Sequence, residues 1–186
     1  MYYDLDDILA EEEKVSAVTN ITATRLGFLD PASDEEDLVA ATKVDMPIWL
    51  ARALSAKHMV TLRPPTYLSD KFKDHLTAGP LALNLRDYSP FFYKAGLSVA
   101  QSVRSEAILD ILRQTYSGER FNQIMDWAFN SCDEDITHFT KNLTHTEQRL
   151  FDSGFRTREQ VGLWRGGDAK DKYYIASGLK RRRLEG

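Results

Sequence analysis

The strongest constraint on the fold is an amphipathic stretch over residues 102–132. Its large apolar side chains recur every three or four residues, the spacing that places them on one side of an α-helix: Ile108, Leu109, Ile111, Leu112, Tyr116, Phe121, Ile124, Met125, Ala128 and Phe129. Gly118 interrupts the run and costs about 1 kcal/mol relative to alanine, so it marks a point where the helix can bend. The pattern predicts a mainly α protein built around a helical bundle.

The charge distribution predicts a smaller unit before the helical one. Residues 1–45 contain 12 acidic and 3 basic residues, a net charge of −9, whereas residues 46–186 contain 16 acidic and 21 basic residues, a net charge of +5. Between residues 14 and 24 the chain is rich in β-branched side chains, which favour one or two short strands, and residues 43–46 can form another. The sequence therefore predicts a β-rich N-terminal domain over residues 1–45.

A short helix is predicted at the start of this N-terminal domain. Asp4 can cap it, the acids that follow complement the helix dipole, and one side carries Leu5, Ile8 and Leu9. Because these three side chains form an apolar stripe, we expect them to face a partner surface.

The larger helical domain is predicted over residues 46–170. Pro47 is typical of a helix start, and Trp49, Leu50 and Leu54 leave the following helix little polar face. An extended piece is expected near 59–63, with helices at about 66–78 and 90–101. Residues 136–165 form either one helix or two, since a capping box at Thr144 can begin a new one. A basic tail follows over residues 171–186.

No arrangement of residues typical of catalysis or metal binding is found. The glycines near residue 165 lack the order of a phosphate-binding loop, and the four histidines do not form a chelating pair. The acids at 133–135 are typical of a helix start, and Cys132 falls on the apolar stripe of the preceding helix. The sequence therefore predicts a protein without catalytic activity, cofactor or metal.

Several features of the sequence indicate the cellular compartment of the protein. The N-terminus is acidic, unlike a signal or transit peptide, and no apolar run approaches the roughly 20 residues of a membrane span. A single cysteine excludes an internal disulfide and fits a reducing compartment. We expect an intracellular protein without a membrane segment.

The basic tail suggests an alternative function. Four consecutive bases near the end of the chain are candidates for nuclear import or for contact with phosphates: Lys180, Arg181, Arg182 and Arg183. The runner-up prediction is therefore a DNA-binding protein that acts through this tail. Against it, the chain as a whole is acidic and has no basic strand interleaved with aromatic residues. An unrecognised enzyme is a third and weaker alternative.

Six short motifs, in this order, resemble the third Psf subunits of the GINS complex. They lie at residues 5–9 (LDDIL), 27–29 (GFL), 46–51 (MPIWLA), 90–93 (PFFY), 120–126 (RFNQIMD) and 150–154 (LFDSG). No single motif is specific, but their collinearity extends over essentially the whole chain. The loop over 27–43 and the stretch over 66–88 match least well.

The resemblance implies a fold and a function. It implies a small β-rich domain before a helical domain, and a non-catalytic scaffold in a heterotetramer with the other three GINS subunits. That assembly would join the MCM ring and a further cofactor in the nucleus to form the CMG replicative helicase, with only indirect or weak DNA contact. Together with the excess of large apolar side chains, it makes these residues candidates for an interface or buried junction: Leu5, Ile8, Leu9, Trp49, Leu50, Leu54, Phe91, Phe92, Phe121, Ile124 and Met125.

Overall fold

The computed structural model describes residues 4–30, 33–79, 83–131 and 136–166. It is mainly helical, with a three-stranded antiparallel sheet near the N-terminus, as the sequence and the resemblance predicted. The helices are α1 (Leu5–Glu11), α2 (Ile48–Ala56), α3 (Asp70–Ala78), α4 (Leu85–Tyr88), α5 (Phe92–Val103), α6 (Glu106–Ser117), α7 (Glu119–Asn130), α8 (Thr137–Lys141) and α9 (His145–Gly166). The strands are β1 (Lys14–Thr19), β2 (Lys43–Pro47) and β3 (Val60–Leu62).

The central strand of the sheet is β1, which pairs antiparallel with β2 on one side and β3 on the other. Alternate residues of β1 point into the core, as expected for a sheet with one covered face. Val15 lies opposite Met46, and Ala17 lies opposite both Val44 and Leu62, and all five are buried. The β-branched residues after Lys14 therefore form a strand, as predicted.

The predicted domain boundary near residue 45 falls inside β2, and the third strand comes from residues that follow it. One apolar core contains residues of the sheet, such as Val15 and Val44, together with Phe92 of α5 and Ile111 of α6. The separation into domains at 1–45 and 46–170 stays a prediction, because the core of the sheet and the core of the first helices are continuous.

Two junctions divide the later helices, one at Gly118 between α6 and α7 and one at Thr144 before α9. At Gly118 the backbone is extended (φ −88°, ψ −154°), so the amphipathic stretch forms two helices, α6 and α7, joined at this residue. Residues 136–165 contain two helices and not one, with α9 beginning after Thr144. The Thr144 backbone N–H donates a 2.8 Å hydrogen bond to Glu147 Oε2, which is one half of a capping box.

A second apolar cluster holds α7, α8 and α9 together. Its buried members are Ile124, Ala128, Leu143 and Phe151. The rings of Trp127 and Phe139 stack at its edge with centroids 5.0 Å apart. This cluster shares no residue with the first core, so α9 is anchored mainly through α7.

Gly154 permits the close approach of α9 to α7. A Cβ added at this residue would lie 3.0 Å from the Ala128 Cβ, whereas a Cβ at Gly162 of the same helix would meet nothing within 4 Å. We expect Gly154→Val to lower the free energy of unfolding by about 1–3 kcal/mol, the usual range for overpacking. Gly162→Val is the matched control and should change it by less than about 0.5 kcal/mol. Urea denaturation followed by circular dichroism measures both, and equal effects would contradict close packing at Gly154.

Several predicted features lie outside the described residues, namely Cys132, the acids at 133–135 and the tail over 171–186 with Lys180, Arg181, Arg182 and Arg183. Within the described ranges, no helix is both long and apolar enough to cross a membrane. Histidine, cysteine, aspartate and glutamate side chains do not form a group of three or more that could hold a metal ion in the part of the chain that the structure describes.

Candidate interaction surface

The first helix docks on the rest of the chain through its charged side. Lys94 of α5 places its Nζ atom 2.6 Å from Asp7 Oδ1 and 3.4 Å from Asp4 Oδ2. One turn further along α1, Glu11 Oε1 lies 3.1 Å from Arg52 Nη1 of α2. Three of the 12 acids in residues 1–45 therefore face bases of the following helices.

A third contact of α1 reaches the start of α9. Asp6 Oδ2 lies 3.3 Å from Arg149 Nη1, and Asp6 Oδ1 lies 3.4 Å from His145 Nε2. These residues are separated by more than 130 positions in the sequence. The charged side of α1 thus bridges α2, α5 and α9, and Ala10 is its one buried residue in the described structure.

The apolar side of α1 faces away from the chain. Leu5 is 68% exposed, Ile8 49% and Leu9 45%, although the three lie on one side of the helix. An amphipathic helix on a folded protein ordinarily turns its apolar side inward. Here the orientation is reversed, which leaves the predicted stripe without a partner among the described residues.

Two groups where α1 meets α5 have pKa values that are shifted in opposite directions, Asp4 mainly by the cap of α1 itself and Lys94 by the docking contact. The backbone N–H of Asp6, 3.1 Å from Asp4 Oδ1, is the main cause that lowers the pKa of Asp4, and Lys94 adds to it. Burial alone would lower the pKa of Lys94, but the hydrogen bonds and charges of Asp7 and Asp4 outweigh it and raise this pKa. The folded protein therefore favours the charged form of both groups, and for Lys94 the acids of the docked helix are the cause.

These shifts predict a pH window for docking. Because the pKa of Asp4 is lowered, its carboxylate contributes to the stability of the folded state, and this contribution is lost as pH falls below the ordinary Asp4 pKa of 3.8. Because the pKa of Lys94 is raised, its ammonium group also contributes to stability, and this contribution is lost as pH rises above the ordinary Lys94 pKa of 10.5. We expect the methyl NMR shift of Ala10, buried only when α1 is docked, to change at both limits. In Lys94→Met the upper transition should disappear, and an unaltered upper transition would contradict the role of this ion pair.

The other predicted interface residues divide into buried and partly exposed groups. Phe92 and Ile124 are buried, and Leu50 and Leu54 are half-buried against the first core. Trp49 is 44% exposed at the start of α2. Phe91 is half-buried, and its ring lies 5.4 Å from that of His145.

A second incompletely covered surface runs along α7. The outer stripe of α7, which we define as Phe121, Met125 and Phe129, has its first two side chains half-buried and the third 41% exposed. Tyr116, whose ring centroid lies 6.0 Å from that of Phe121, extends the stripe onto α6. The inner side of the same helix, with Ile124 and Ala128, is fully buried. The helix therefore has apolar residues on its buried inner side and also on its outer side, which this chain covers only in part.

The sequence did not predict a buried ion pair beneath this surface. Arg120 of α7 and Glu147 of α9 are 6% and 1% exposed, and Arg120 contacts both carboxylate oxygens, with Nη2 to Oε2 at 3.1 Å. Glu147 also accepts hydrogen bonds from Tyr93 Oη at 3.0 Å and from the Thr144 backbone N–H. Arg120 Nη1 donates to the Leu83 carbonyl at 2.8 Å. The capping box pointed to Glu147, but no local pattern pointed to Arg120.

Burial and the neighbouring carboxylate raise the pKa of Tyr93 far above its ordinary value. The phenol is therefore protonated at neutral pH and donates its hydrogen bond to Glu147. The cluster of Tyr93, Arg120 and Glu147 thus behaves as a fixed structural network that joins α5, α7 and α9.

Comparison with known proteins identifies the family. A family model described as the PSF3 N-terminal domain matches residues 3–56. The DNA replication complex GINS protein psf3 of Aspergillus fumigatus is 31% identical over 179 residues, which cover 92% of this chain and 99% of that protein. The chain belongs to the GINS protein PSF3 family.

Other PSF3 proteins show the same breadth of similarity. The probable DNA replication complex GINS protein PSF3 of Dictyostelium discoideum is 30% identical over 92% of this chain, which spans 64% of that longer relative. The human PSF3 protein is 28% identical over 90% of this chain and 82% of its own length. The resemblance inferred from six collinear motifs is therefore confirmed.

The matched PSF3 N-terminal domain contains α1, β1, β2 and α2. It therefore includes the exposed stripe of Leu5, Ile8 and Leu9, its acidic counterpart, and Trp49. The segment of this PSF3-family chain that matches the family model therefore contains α1, whose apolar side no described residue covers.

Proposed function

We propose that this chain is a non-catalytic scaffold subunit of the GINS heterotetramer. In this role it binds the other three GINS subunits and, through the assembled complex, the MCM ring and the further cofactor of the CMG replicative helicase in the nucleus. The chain itself hydrolyses nothing, and its DNA contact is indirect or weak. The proposal is supported by membership of a family whose members are named as proteins of a DNA replication complex.

The observation that carries the proposal is the reversed orientation of α1. Ion pairs to Lys94 and Arg52 hold the helix with its apolar side outward. Exposing large aliphatic side chains forgoes about 1.5–3 kcal/mol for each one that could be buried. Because a partner surface would recover this free energy, an outward stripe held in place by charges is suited to binding another protein.

The two exposed apolar surfaces, the stripe of α1 and the outer stripe of α7, support binding to more than one neighbour. They lie on helices that do not share an apolar cluster, since α1 packs near α5 and α7 packs with α9. A subunit that contacts different partners through separate surfaces positions them relative to each other without chemistry of its own. This is the mechanism that we propose for the chain.

The stripe of α1 can be tested without disturbing the fold. Replacing Leu5, Ile8 and Leu9 together with serine should abolish or strongly reduce co-purification with the other GINS subunits. The stability of the isolated chain should change little, because exposed substitutions usually stay within about 0.5 kcal/mol each. Co-expression, affinity capture and quantitation of each subunit measure the assembly.

The control for this experiment replaces exposed apolar residues elsewhere. Ile21, Leu29 and Val39 are 44%, 39% and 48% exposed and lie outside α1 and α7, so their triple serine variant should assemble normally. Assembly of the α1 variant at the yield of the unmodified chain would show that the stripe of α1 is not a subunit interface.

A further inference from the structure

Helices α2 and α5 pack together and end in the same way. In each, a backbone N–H beyond the helix donates to a carbonyl five residues earlier: Met59 to Leu54 and Ser105 to Ala100, both at 3.1 Å. This is the Schellman motif, in which one residue takes the left-handed conformation that normally selects glycine. Here that residue is His58 at the end of α2 (φ 59°) and Arg104 at the end of α5 (φ 56°).

Attraction to the helix dipole does not explain these two residues. A cation near a helix C-terminus is favourable, but it can sit in the last turn without backbone strain, and Lys57 already occupies the C-cap of α2. A residue with a side chain in the left-handed region is disfavoured relative to glycine. Both helices therefore carry a nitrogen-rich side chain at a position where the backbone favours glycine, and the surroundings of the two side chains indicate what they can bind.

The two side chains line one cavity. Its volume is about 460 Å³, and its wall includes Arg52, His58 and Arg104 together with three neutral hydrogen-bonding residues, Ser55, Gln101 and Ser102. Among the residues that the structure describes, no aspartate or glutamate lines it. Arg52 is paired with Glu11, whereas no ion pair to His58 or Arg104 is formed within the described ranges. The cavity therefore contains the positive charge of Arg104, which no described carboxylate neutralises.

We propose that this cavity is an oxyanion-binding site for an acidic peptide segment of a partner protein. The arginines donate to a carboxylate or phosphate group, and the imidazole and serine hydroxyls can add hydrogen bonds. The chemistry shared by the two possible groups is an oxyanion on a peptide side chain, either aspartate or glutamate or a phosphorylated residue. The inference concerns this chain alone and does not depend on the proposed function.

Charge in the surroundings favours a peptide over a nucleic acid. Glu11, the last residue of α1, pairs with Arg52 in the wall of the cavity, and Asp6 and Asp7 lie earlier in the same helix. A nucleic acid needs a continuous basic track along its backbone, and these carboxylates would repel neighbouring phosphates. A peptide that carries one or two anionic side chains can enter the cavity while its neutral residues pass the acidic helix.

The site can be tested with variants that favour folding. Because glycine prefers the left-handed conformation, His58→Gly with Arg104→Gly should leave the melting temperature unchanged or raised. Arg25, which also has a left-handed backbone (φ 61°) but lies away from the cavity, provides Arg25→Gly as a matched control. Arg104→Lys retains the charge.

The measurement is fluorescence anisotropy of the 186-residue chain with four labelled probes. These are an otherwise neutral peptide with one aspartate, the same peptide with phosphoserine in place of the aspartate, its asparagine version, and a single-stranded oligonucleotide. We expect at least one anionic peptide to bind, with the double glycine variant weakening it about tenfold or more. Arg25→Gly should have no effect, and Arg104→Lys should retain most of the affinity. The tighter of the two anionic peptides identifies the oxyanion.

Four results would overturn the proposal. The first three are equal binding of the asparagine peptide, undiminished affinity in the double glycine variant, and binding of the oligonucleotide that is tighter than that of either anionic peptide and is weakened by the double glycine substitution. The fourth is absence of binding by both anionic peptides to the unmodified chain. None of these outcomes bears on subunit assembly, so failure here is distinguishable from failure of the scaffold proposal.

Discussion

Replacing Glu147 with alanine should lower the free energy of unfolding by about 3–5 kcal/mol, a large share of the stability of a domain of this size. The substitution removes the carboxylate that neutralises Arg120, and Arg120 is only 6% exposed. Its guanidinium would then remain buried with the Leu83 carbonyl as its other hydrogen-bond partner in the described structure. An unpaired charge in such surroundings is far more costly than the loss of an ordinary hydrogen bond.

The same substitution also removes acceptors from two other groups. Tyr93 Oη and the Thr144 backbone N–H both donate to Glu147, so both would lose their partner at once. Glu147→Gln keeps one acceptor oxygen and should therefore cause an intermediate loss. The effect should appear as a lower urea midpoint in circular dichroism, with loss of the contacts between α7 and α9.

The matched control is an exposed ion pair on a neighbouring helix. Glu106 pairs with Arg113 at 2.9 Å, but their side chains are 71% and 65% exposed. Pairs of this kind usually contribute about 0–1 kcal/mol, so Glu106→Ala should have a small effect. If Glu147→Ala destabilises the chain no more than Glu106→Ala does, the buried network does not hold α7 and α9 together.

The second large effect is expected on assembly. Replacing Phe121 and Met125 with aspartate should prevent co-purification with the other GINS subunits. Both side chains belong to the outer stripe of α7, which this chain covers only in part. Burial of two unpaired carboxylates at an apolar interface would lower the affinity by at least about a hundredfold.

A control on the same helix separates charge from position. Asn122 and Asn130 are exposed on α7, so Asn122→Asp with Asn130→Asp adds the same two charges outside the stripe. This variant should assemble at normal yield. Circular dichroism of each isolated variant tests whether the helix content is retained. Assembly of the Phe121 and Met125 variant at unmodified yield, with an intact fold, would show that the outer stripe is not an interface.

Local patterns were sufficient where one residue type repeats over a short distance. The three-and-four spacing around Ile111 and Ile124 predicted α6 and α7, and the β-branched run after Lys14 predicted β1. The capping pattern at Thr144 did not decide between one helix and two over residues 136–165. The structure has two, because α8 ends at Lys141. These features depend on neighbours within a few residues, which is why the sequence alone revealed them.

The direction of α1 could not be predicted in the same way. Its apolar stripe is evident from Leu5, Ile8 and Leu9, but whether that stripe faces the core depends on which surface receives the helix. The receiving residues, Lys94, Arg52 and Arg149, lie on three helices far along the chain. Their positions relative to each other arise only after those helices have packed.

Most of the helices and strands, the family and the set of apolar residues available for contact follow from the sequence, because each depends on composition, spacing or collinear motifs. Tertiary structure was needed to show which apolar residues stay uncovered, that Arg120 meets Glu147, and that His58 and Arg104 line one cavity. Arg120 and Glu147 are 27 positions apart in the sequence, and His58 and Arg104 are 46 apart. Packing brings such residues together, and no local periodicity encodes their distance in space.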